Sequence, residues 1–418
     1  MNFADDLEKN IDYEASRRGF PDDFQPLPEI PGGRYTSPDF YQLELANIWH
    51  RTWVCIGREE GLEQPGFYRT LDIMGVPIVL VRGKDQALRA FYNTCRHRGA
   101  PVVREQEGHT TLLRCQYHSW SYDLEGNLVG VPDERDFACL DKSSRGLMTL
   151  RCEVWAGWVF LCENPDAPPL LDYLGELPEQ LASVNMAGLR LIDTRRYEIG
   201  CNWKAAVDAF LEVYHLKTIH PSTAAVMLDH TASAMTLMAN GHSRMATRKR
   251  LGKGVNFAEM AGAPSIAGID SVFSDNNVAY SIFPNVVVPI DTVGFPFLLF
   301  WPVSPDRCIM EAVYVGPGWG EETRPAYWDQ YLEIFHQVLE EDMSNLEPIQ
   351  ASLRSRAFSG MMINYQERRI YWMHQQVDKR IGEEALPPGL AVRRILDASP
   401  THKAPTANGK ENCNEQRG

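Results

Sequence analysis

Four residues constrain this chain more than any other feature. The stretch "NTCRHRGAPV" supplies Cys95 and His97, and "LRCQYHSWSY" supplies Cys115 and His118. The pattern is C-x-H, seventeen intervening residues, then C-x-x-H. Two thiolates and two imidazoles on two loops hold either a zinc ion or an iron–sulfur cluster. Zinc loops usually group like ligands, whereas here each loop carries one of each kind. That suits a cluster with two unlike irons, one held by both cysteines and the other by both histidines. A structural zinc ion is the alternative. Cys55, Cys139, Cys152, Cys162, Cys201 and Cys308 fit no ligand spacing and read as buried, apolar-like thiols.

The rest of the composition is that of an ordinary globular chain, long enough for two or three domains. A formal net charge of −14 argues against nucleic acid or an anionic membrane as main partner. No apolar run reaches the roughly 18 residues of a membrane span. The opening "MNFADDLEKN" lacks a basic region followed by an apolar one, and nine cysteines at scattered spacing do not form a disulfide framework. The expected compartment is the reducing cytoplasm.

The pattern along the chain predicts an α+β protein. Residues 1–37 read as a polar, proline-rich extended arm. Ser37-Pro38 is a helix start, with Leu43, Leu45, Ile48 and Trp49 giving a short amphipathic helix. Short apolar runs between about 52 and 165 suggest a small β domain, followed by a linker rich in Pro and Leu near 165–180. Residues 38–180 thus make one domain and 181–399 a second. The second combines a helix from about 203, strand-like runs such as "NVVVPI" and "FPFLLFWPV", and helices over about 322–356 and 361–381. Residues 252–277 read as a long loop, a lid or else disordered, and 400–418 as a disordered tail.

A second group of ligating residues lies in "LEVYHLKTIHP", where His215 and His220 stand five residues apart. Five steps of roughly 100° separate two side chains by about 140°, so one helix cannot aim both at one ion. The chain must leave regular helix between them, and Pro221 supports that break. Two unrelated histidines are the alternative. Asp208, Glu212 and His215 are spaced to share one face of a helix starting near Trp203, as does Lys204. In the later long helix Asp342 falls on the apolar stripe of Val338, Leu339 and Leu346, where a buried carboxylate needs a positive partner. A helix–helix salt bridge would also provide one. Glu340 and Glu341 fall off the stripe and read as solvated.

With these residues in view, the chain resembles the Rieske non-haem iron oxygenases, the terminal (alpha) components of aromatic-ring-hydroxylating systems. The resemblance rests on Cys95-Arg-His97-Arg-Gly and Cys115-Gln-Tyr-His118-Ser-Trp-Ser-Tyr and extends from about Pro38 to Gly382. It implies a β-rich Rieske [2Fe-2S] domain at 38–180, the cluster held by Cys95, His97, Cys115 and His118. It implies a helix-grip (START-like) catalytic domain at 181–399, with an antiparallel sheet packed on helices. There, mononuclear Fe(II) is held by His215, His220 and Asp342, the last within the family's acidic-Asp-x4-Glu-x-x-Gln pattern as Glu341-Asp342, Glu347 and Gln350. Glu212 takes the position of an acidic bridge to a Rieske histidine of a neighbouring subunit, and Asp208 that of a supporting partner. These two are the candidate catalytic residues beside the ligands.

The resemblance further implies dioxygen as co-substrate, hydroxylation, dihydroxylation or dealkylation as outcome, and a homotrimer, in some members with small beta subunits. No dinucleotide fingerprint or plant-type ferredoxin spacing occurs, so NAD(P)H acts only through a separate reductase or ferredoxin. Arg96, Arg98, Arg104 and Arg114 could dock that donor or simply brace the loops. The substrate expected first is an apolar aromatic or alicyclic compound. The residue type of Glu212 also resembles oxygenases acting on carnitine, stachydrine and glycine betaine, so a quaternary ammonium compound is the second expectation. Phe283, Phe295, Phe297, Phe300 and Trp301 mostly fill core, and Met227, Met235, Met238 and Met245 add pliable surface. A non-catalytic carrier of hydrophobic ligands and a pure electron carrier are the readings from other classes.

Overall fold

The computed structural model describes residues 3–250, 262–320 and 323–398. Among them, an antiparallel seven-stranded sheet forms the first domain, in the order Val54–Arg58, Trp158–Cys162, Thr149–Trp155, Leu88–Tyr92, Val76–Arg82, Phe67–Ile73, Glu107–His109. A three-stranded sheet of Leu113–Arg114, Ser121–Tyr122 and Leu128–Gly130 sits beside it. The second domain is built on another antiparallel seven-stranded sheet, ordered Leu189–Ile199, Arg307–Pro317, Phe295–Ser304, Val286–Ile290, Asn276–Ile282, Ser243–Lys249, Leu228–Leu237. The helices Tyr327–Leu353 and Arg368–Ile381 pack on it. No helix of the described residues is long and apolar enough to cross a membrane.

The two sheets share a continuous core. The Trp158 ring stacks on Phe297 with centroids 3.5 Å apart. Val54–Arg58 is an edge strand, and its exposed peptide groups are a liability unless covered. Asn285 of the second domain covers them, donating to the Cys55 carbonyl at 2.9 Å and accepting from the Cys55 N–H at 3.1 Å. Arg58 reaches across to the carbonyls of Met186 and Leu189 at 3.1 and 2.8 Å.

Several expectations are corrected. Residues 1–37 are not a simple extended arm: Phe3–Ser16 is a helix whose Leu7 and Ile11 are fully buried along the strand Leu228–Leu237. Phe3, Leu7 and Ile11 recur every fourth residue, a stripe masked by the polar average of the whole segment. The helix at Pro38–Glu44 starts at Ser37, whose hydroxyl accepts from the Phe40 N–H at 3.2 Å, and then widens into a π turn at Leu45–Trp49. The linker folds as the short helices Leu170–Leu174 and Leu177–Gln180, because Leu170, Leu174 and Leu177 find core to enter. The expected loop 252–277 contains the helix Ser271–Asp275, capped by the Asp270 side chain. Residues 252–261 and the expected tail 400–418 lie outside the described residues. Cys139 is exposed and Cys152 half-buried, unlike Cys55, Cys162, Cys201 and Cys308, which are buried as expected.

Candidate functional site

The two Cys/His loops are built alike. In the first, the Cys95 N–H donates to the Ala100 carbonyl at 2.8 Å and Gly99 N–H returns to the Cys95 carbonyl at 3.0 Å. In the second, Cys115 N–H donates to Trp120 and Ser119 N–H to Cys115, both at 2.9 Å. Each loop therefore closes on the fourth and fifth residues after its cysteine, and in each the fourth is left-handed, Gly99 at φ +77 and Ser119 at φ +56. Glycine takes that conformation without penalty, whereas Ser119 holds it at a cost the loop must offset. Both thiols are buried, and the His97 and His118 rings lie 4.6 Å apart. Trp120 stacks on His97 at 4.9 Å, and Nδ1 of His97 is buried with no hydrogen-bond partner. A buried imidazole nitrogen without a partner, beside a second imidazole and two buried thiols, fits a metal cluster. Across the two loops the imidazoles face each other and the two thiols interact.

The second centre starts where strand Leu189–Ile199 meets the helix Trp203–Asp208. The Asn202 side chain caps this helix, and Gln350 of the long helix accepts from the Asn202 N–H at 2.9 Å. The helix ends at Asp208 rather than running on to His215. Asp208, Glu212 and His215 therefore do not share a helical face. A separate single turn, Leu216–Ile219, lies between the two histidines, and His220 at φ −115 and ψ +42 ends it before Pro221. This turn brings the His215 and His220 rings to 5.2 Å.

Asp342 enters from the long helix and is buried as expected. Its Oδ1 lies 3.3 Å from Nε2 of His215 and 2.8 Å from Nε2 of His220. One ligand atom from each of the three residues falls within 4.8 Å of the others. Behind each ring stands a further carboxylate. Glu212 receives Nδ1 of His215, and its Oε2 also accepts the His215 backbone N–H at 3.2 Å. Glu341 lies 2.7 Å from Nδ1 of His220 and accepts from Thr223 at 2.6 Å. Such carboxylates hold the proton on Nδ1 and leave Nε2 for a metal.

The electrostatics agree. Burial works against a charged His215, yet its hydrogen bonds to Asp342 and Glu212 push it up to about 10. Burial likewise opposes ionisation of Asp342, and the two histidines nevertheless hold it below the ordinary carboxylate range. With Glu212 and Glu341 behind the rings, three carboxylates surround the two imidazoles and favour cations there. A divalent metal taking the place of the protons satisfies them.

Glu341 corrects the sequence reading, which left it solvated. Its side chain is 22% exposed and tied to a ligand histidine, whereas Glu340 is exposed as expected. Glu341 and Thr223 were missed as site residues. The one available signal was the acidic pair itself. Asp208 accepts from the Tyr35 hydroxyl at 2.7 Å and lies 3.6 Å from His374, so it belongs to a buried network apart from the histidine pair. Lys204 is fully buried, 2.7 Å from Glu44.

A cavity of about 200 Å³ opens on the trio. Phe210, Val213, Leu216, Met245, Leu298 and Phe335 give it apolar walls. Phe283, Phe295, Phe297 and Phe300 are instead fully buried in core, and of the four methionines named above only Met227 and Met245 reach the cavity. Arg98, Arg104 and Arg114 are exposed near the cluster loops, while Arg96 is half-buried.

Residues 52–141 match the family described as Rieske [2Fe-2S] domain, and residues 186–383 the family described as ring hydroxylating alpha subunit (catalytic domain). Benzene 1,2-dioxygenase subunit alpha of Pseudomonas putida is 38% identical over 190 residues, which is 44% of this chain and 42% of that protein. The match thus spans less than half the length of that relative. The carnitine monooxygenase oxygenase subunit of Acinetobacter pittii (strain PHEA-2) is 28% identical over 81% of this chain and 90% of its own. Among solved structures, a quaternary ammonium Rieske monooxygenase in complex with L-carnitine superposes with a TM-score of 0.72 at 23% identity, over 87% of this chain and 100% of that one. Naphthalene 1,2-dioxygenase from Rhodococcus sp. bound to indole gives 0.70 at 22% identity, over 90% and 98%. With the paired cluster loops, the histidine–aspartate trio and these matches together, the chain belongs to the Rieske ring-hydroxylating oxygenase alpha subunits.

Proposed function

We propose that this protein is the terminal oxygenase of a multicomponent system that oxidises an apolar aromatic or alicyclic substrate, drawing electrons from NAD(P)H through a separate reductase or ferredoxin. The observation that carries the reading is the convergence of His215, His220 and Asp342 on one point at the wall of an apolar cavity, each histidine backed by its own carboxylate. Cys95, His97, Cys115 and His118 would hold the [2Fe-2S] cluster and the trio the ferrous ion. Once bound, these groups supply single electrons and a site for dioxygen. The chain's own residues do the rest. Glu212 and Glu341 fix the histidine tautomers, Asp342 adds the anionic ligand, and Phe210, Leu298 and Phe335 exclude water from the substrate.

The active form in this reading is a homotrimer, with or without a small beta subunit, in which Glu212 faces the cluster of a neighbouring copy. Tyr117 beside His118 is 53% exposed and Tyr214 beside His215 is 59% exposed, so each centre presents an uncovered aromatic residue to a partner. Arg98, Arg104 and Arg114 suit an acidic electron donor, and the free thiols suit a cytoplasmic protein.

One observation favours a second substrate class. Glu212 and the long match to a carnitine monooxygenase point to a quaternary ammonium compound, held against the aromatic faces of Phe210, Tyr331 and Phe335. Turnover with a surrogate reductase and labelled dioxygen, across aromatic acids, terpenoids and betaines, decides between them. Label in the product of an apolar substrate supports the reading. Label only in betaine products shifts it to the second class, and no substrate-dependent oxygen uptake would leave a carrier of hydrophobic ligands.

A further inference from the structure

We propose, resting on the oxygenase reading above, that the substrate is an elongated apolar molecule ending in a neutral oxygen function, a hydroxyl or ketone, and that Lys249 selects that end. The cavity runs alongside the long helix, which contributes Tyr331, Phe335, Leu339 and Asp342 to its wall. Tyr331 and Asp342 are eleven residues apart in that helix, a rise of about 16 Å. The ligand histidines mark the Asp342 end. The Tyr331 end lies by Gly294, whose carbonyl accepts the Tyr331 hydroxyl at 2.9 Å.

Across from the helix, the sheet grades from apolar to polar toward this far end. Met245 pairs with Ala279, and Ala279 with Pro289. Successive side chains on one face of a strand are two residues apart. Two steps further out stand Asn277, paired with Thr247, and Asp291, and Lys249 follows Thr247 by two. Lys249, Asn277 and Asp291 all line the cavity, and apart from the centre around Asp342 no other charged side chain among the described residues does.

The chemistry of this end is specific. Lys249 has its side chain 2% exposed, donates to the Phe273 carbonyl at 3.2 Å and lies 3.2 Å from Oδ1 of Asp291. An ammonium has three donors, and these two contacts use two of them. Lys249 and Asp291 compensate each other's charge. A carboxylate arriving here meets the like charge of Asp291, and a quaternary ammonium meets that of Lys249. A hydroxyl or carbonyl oxygen accepts from Lys249, with Asn277 at hand, and disturbs no charge balance. The apolar walls take the body and leave the opposite end at the histidine–aspartate trio.

Four probes of one shape test this: biphenyl, para-phenylphenol, para-phenylbenzoate and trimethyl(para-biphenylyl)ammonium. Binding to purified iron-loaded protein is measured by calorimetry without reductant, so no turnover is needed. The expected order places para-phenylphenol at least about tenfold tighter than biphenyl, with both charged probes weaker than biphenyl. Lys249→Met should erase the preference for the phenol. Asp291→Asn, which leaves Lys249 uncompensated, should turn it toward para-phenylbenzoate and covers the case in which Lys249→Met fails to fold. The proposal is overturned if biphenyl binds as tightly as the phenol, if a charged probe binds best to the unaltered protein, if none binds, or if the preference survives in Lys249→Met. Iron content of the same samples keeps this result separate from the oxygenase reading, since protein lacking the iron of the trio fails that reading whatever it binds.

Discussion

Glu341 and His220 are joined at 2.7 Å through Nδ1, on the side of the ring opposite the 2.8 Å contact with Asp342. Two consecutive residues of one helix thus address the two nitrogens of one imidazole. Replacing Glu341 by Gln keeps the shape but weakens the acceptor that fixes the ring. The expected loss is about 10–100-fold in iron affinity of the trio or in turnover, the range usual for such outer partners. Iron titration of the variant, with the visible spectrum of the cluster unchanged, checks it.

Glu212 performs the same service for His215 and in addition sits at the proposed contact between copies. Glu212→Gln should weaken iron binding by the trio about 10–100-fold, as at Glu341, and at saturating iron still lose turnover by at least about a hundredfold, the scale of a misplaced catalytic group. Single-turnover kinetics with pre-reduced protein measure this. Unchanged transfer from cluster to product would remove Glu212 from the electron route.

Asp208 is buried in the network of Tyr35 and His374, and burial raises it to about 7 despite the hydrogen bond from Tyr35. A carboxyl whose folded value exceeds its unfolded value of about 3.9 favours folding at low pH, and that contribution fades as pH rises through the folded value. Stability should therefore fall between about pH 4 and pH 7 in the unaltered protein relative to Asp208→Asn, by at most a few kcal/mol, and level off above. Denaturant melts of both proteins across that range test the sign. A difference that is flat with pH would show Asp208 ionised throughout.

Lys204 and Glu44 form a fully buried pair at 2.7 Å, with the Trp203 indole N–H also on Glu44 at 3.0 Å. It ties the helix Pro38–Glu44 to the helix that leads into the site. Lys204→Met leaves Glu44 buried without its cation, at a cost of about 3–5 kcal/mol, whereas Lys204→Met with Glu44→Leu should recover most of it. Unfolding midpoints of the single and double variants provide the check.

How much of this was legible in the sequence differs from residue to residue. The cluster loops were, because their ligands are close in sequence and of two kinds on each loop. Asp342 was, because a carboxylate on an apolar stripe is out of place. Glu341 was not: an adjacent helix position lies about 100° round, and only the tertiary approach of His220 shows that it turns inward. The helix from Trp203 was overextended because no glycine or proline interrupts 203–215. Beyond its end the Glu212 side chain accepts the backbone N–H groups of Tyr214 and His215, a local competitor of the helical ladder that apolar spacing does not reveal. The helix Phe3–Ser16 escaped for the opposite reason, since its three-residue stripe gains its stability only from the strand it meets.

Iron counted per chain tests the account most directly, in the unaltered protein and in Asp342→Ala, alongside the absorption of the cluster. The account predicts about three irons in the first, two in the cluster and one in the trio, and about two in the second with the cluster spectrum intact and turnover abolished. Equal iron in both proteins, zinc in place of iron, or full turnover by Asp342→Ala would contradict it.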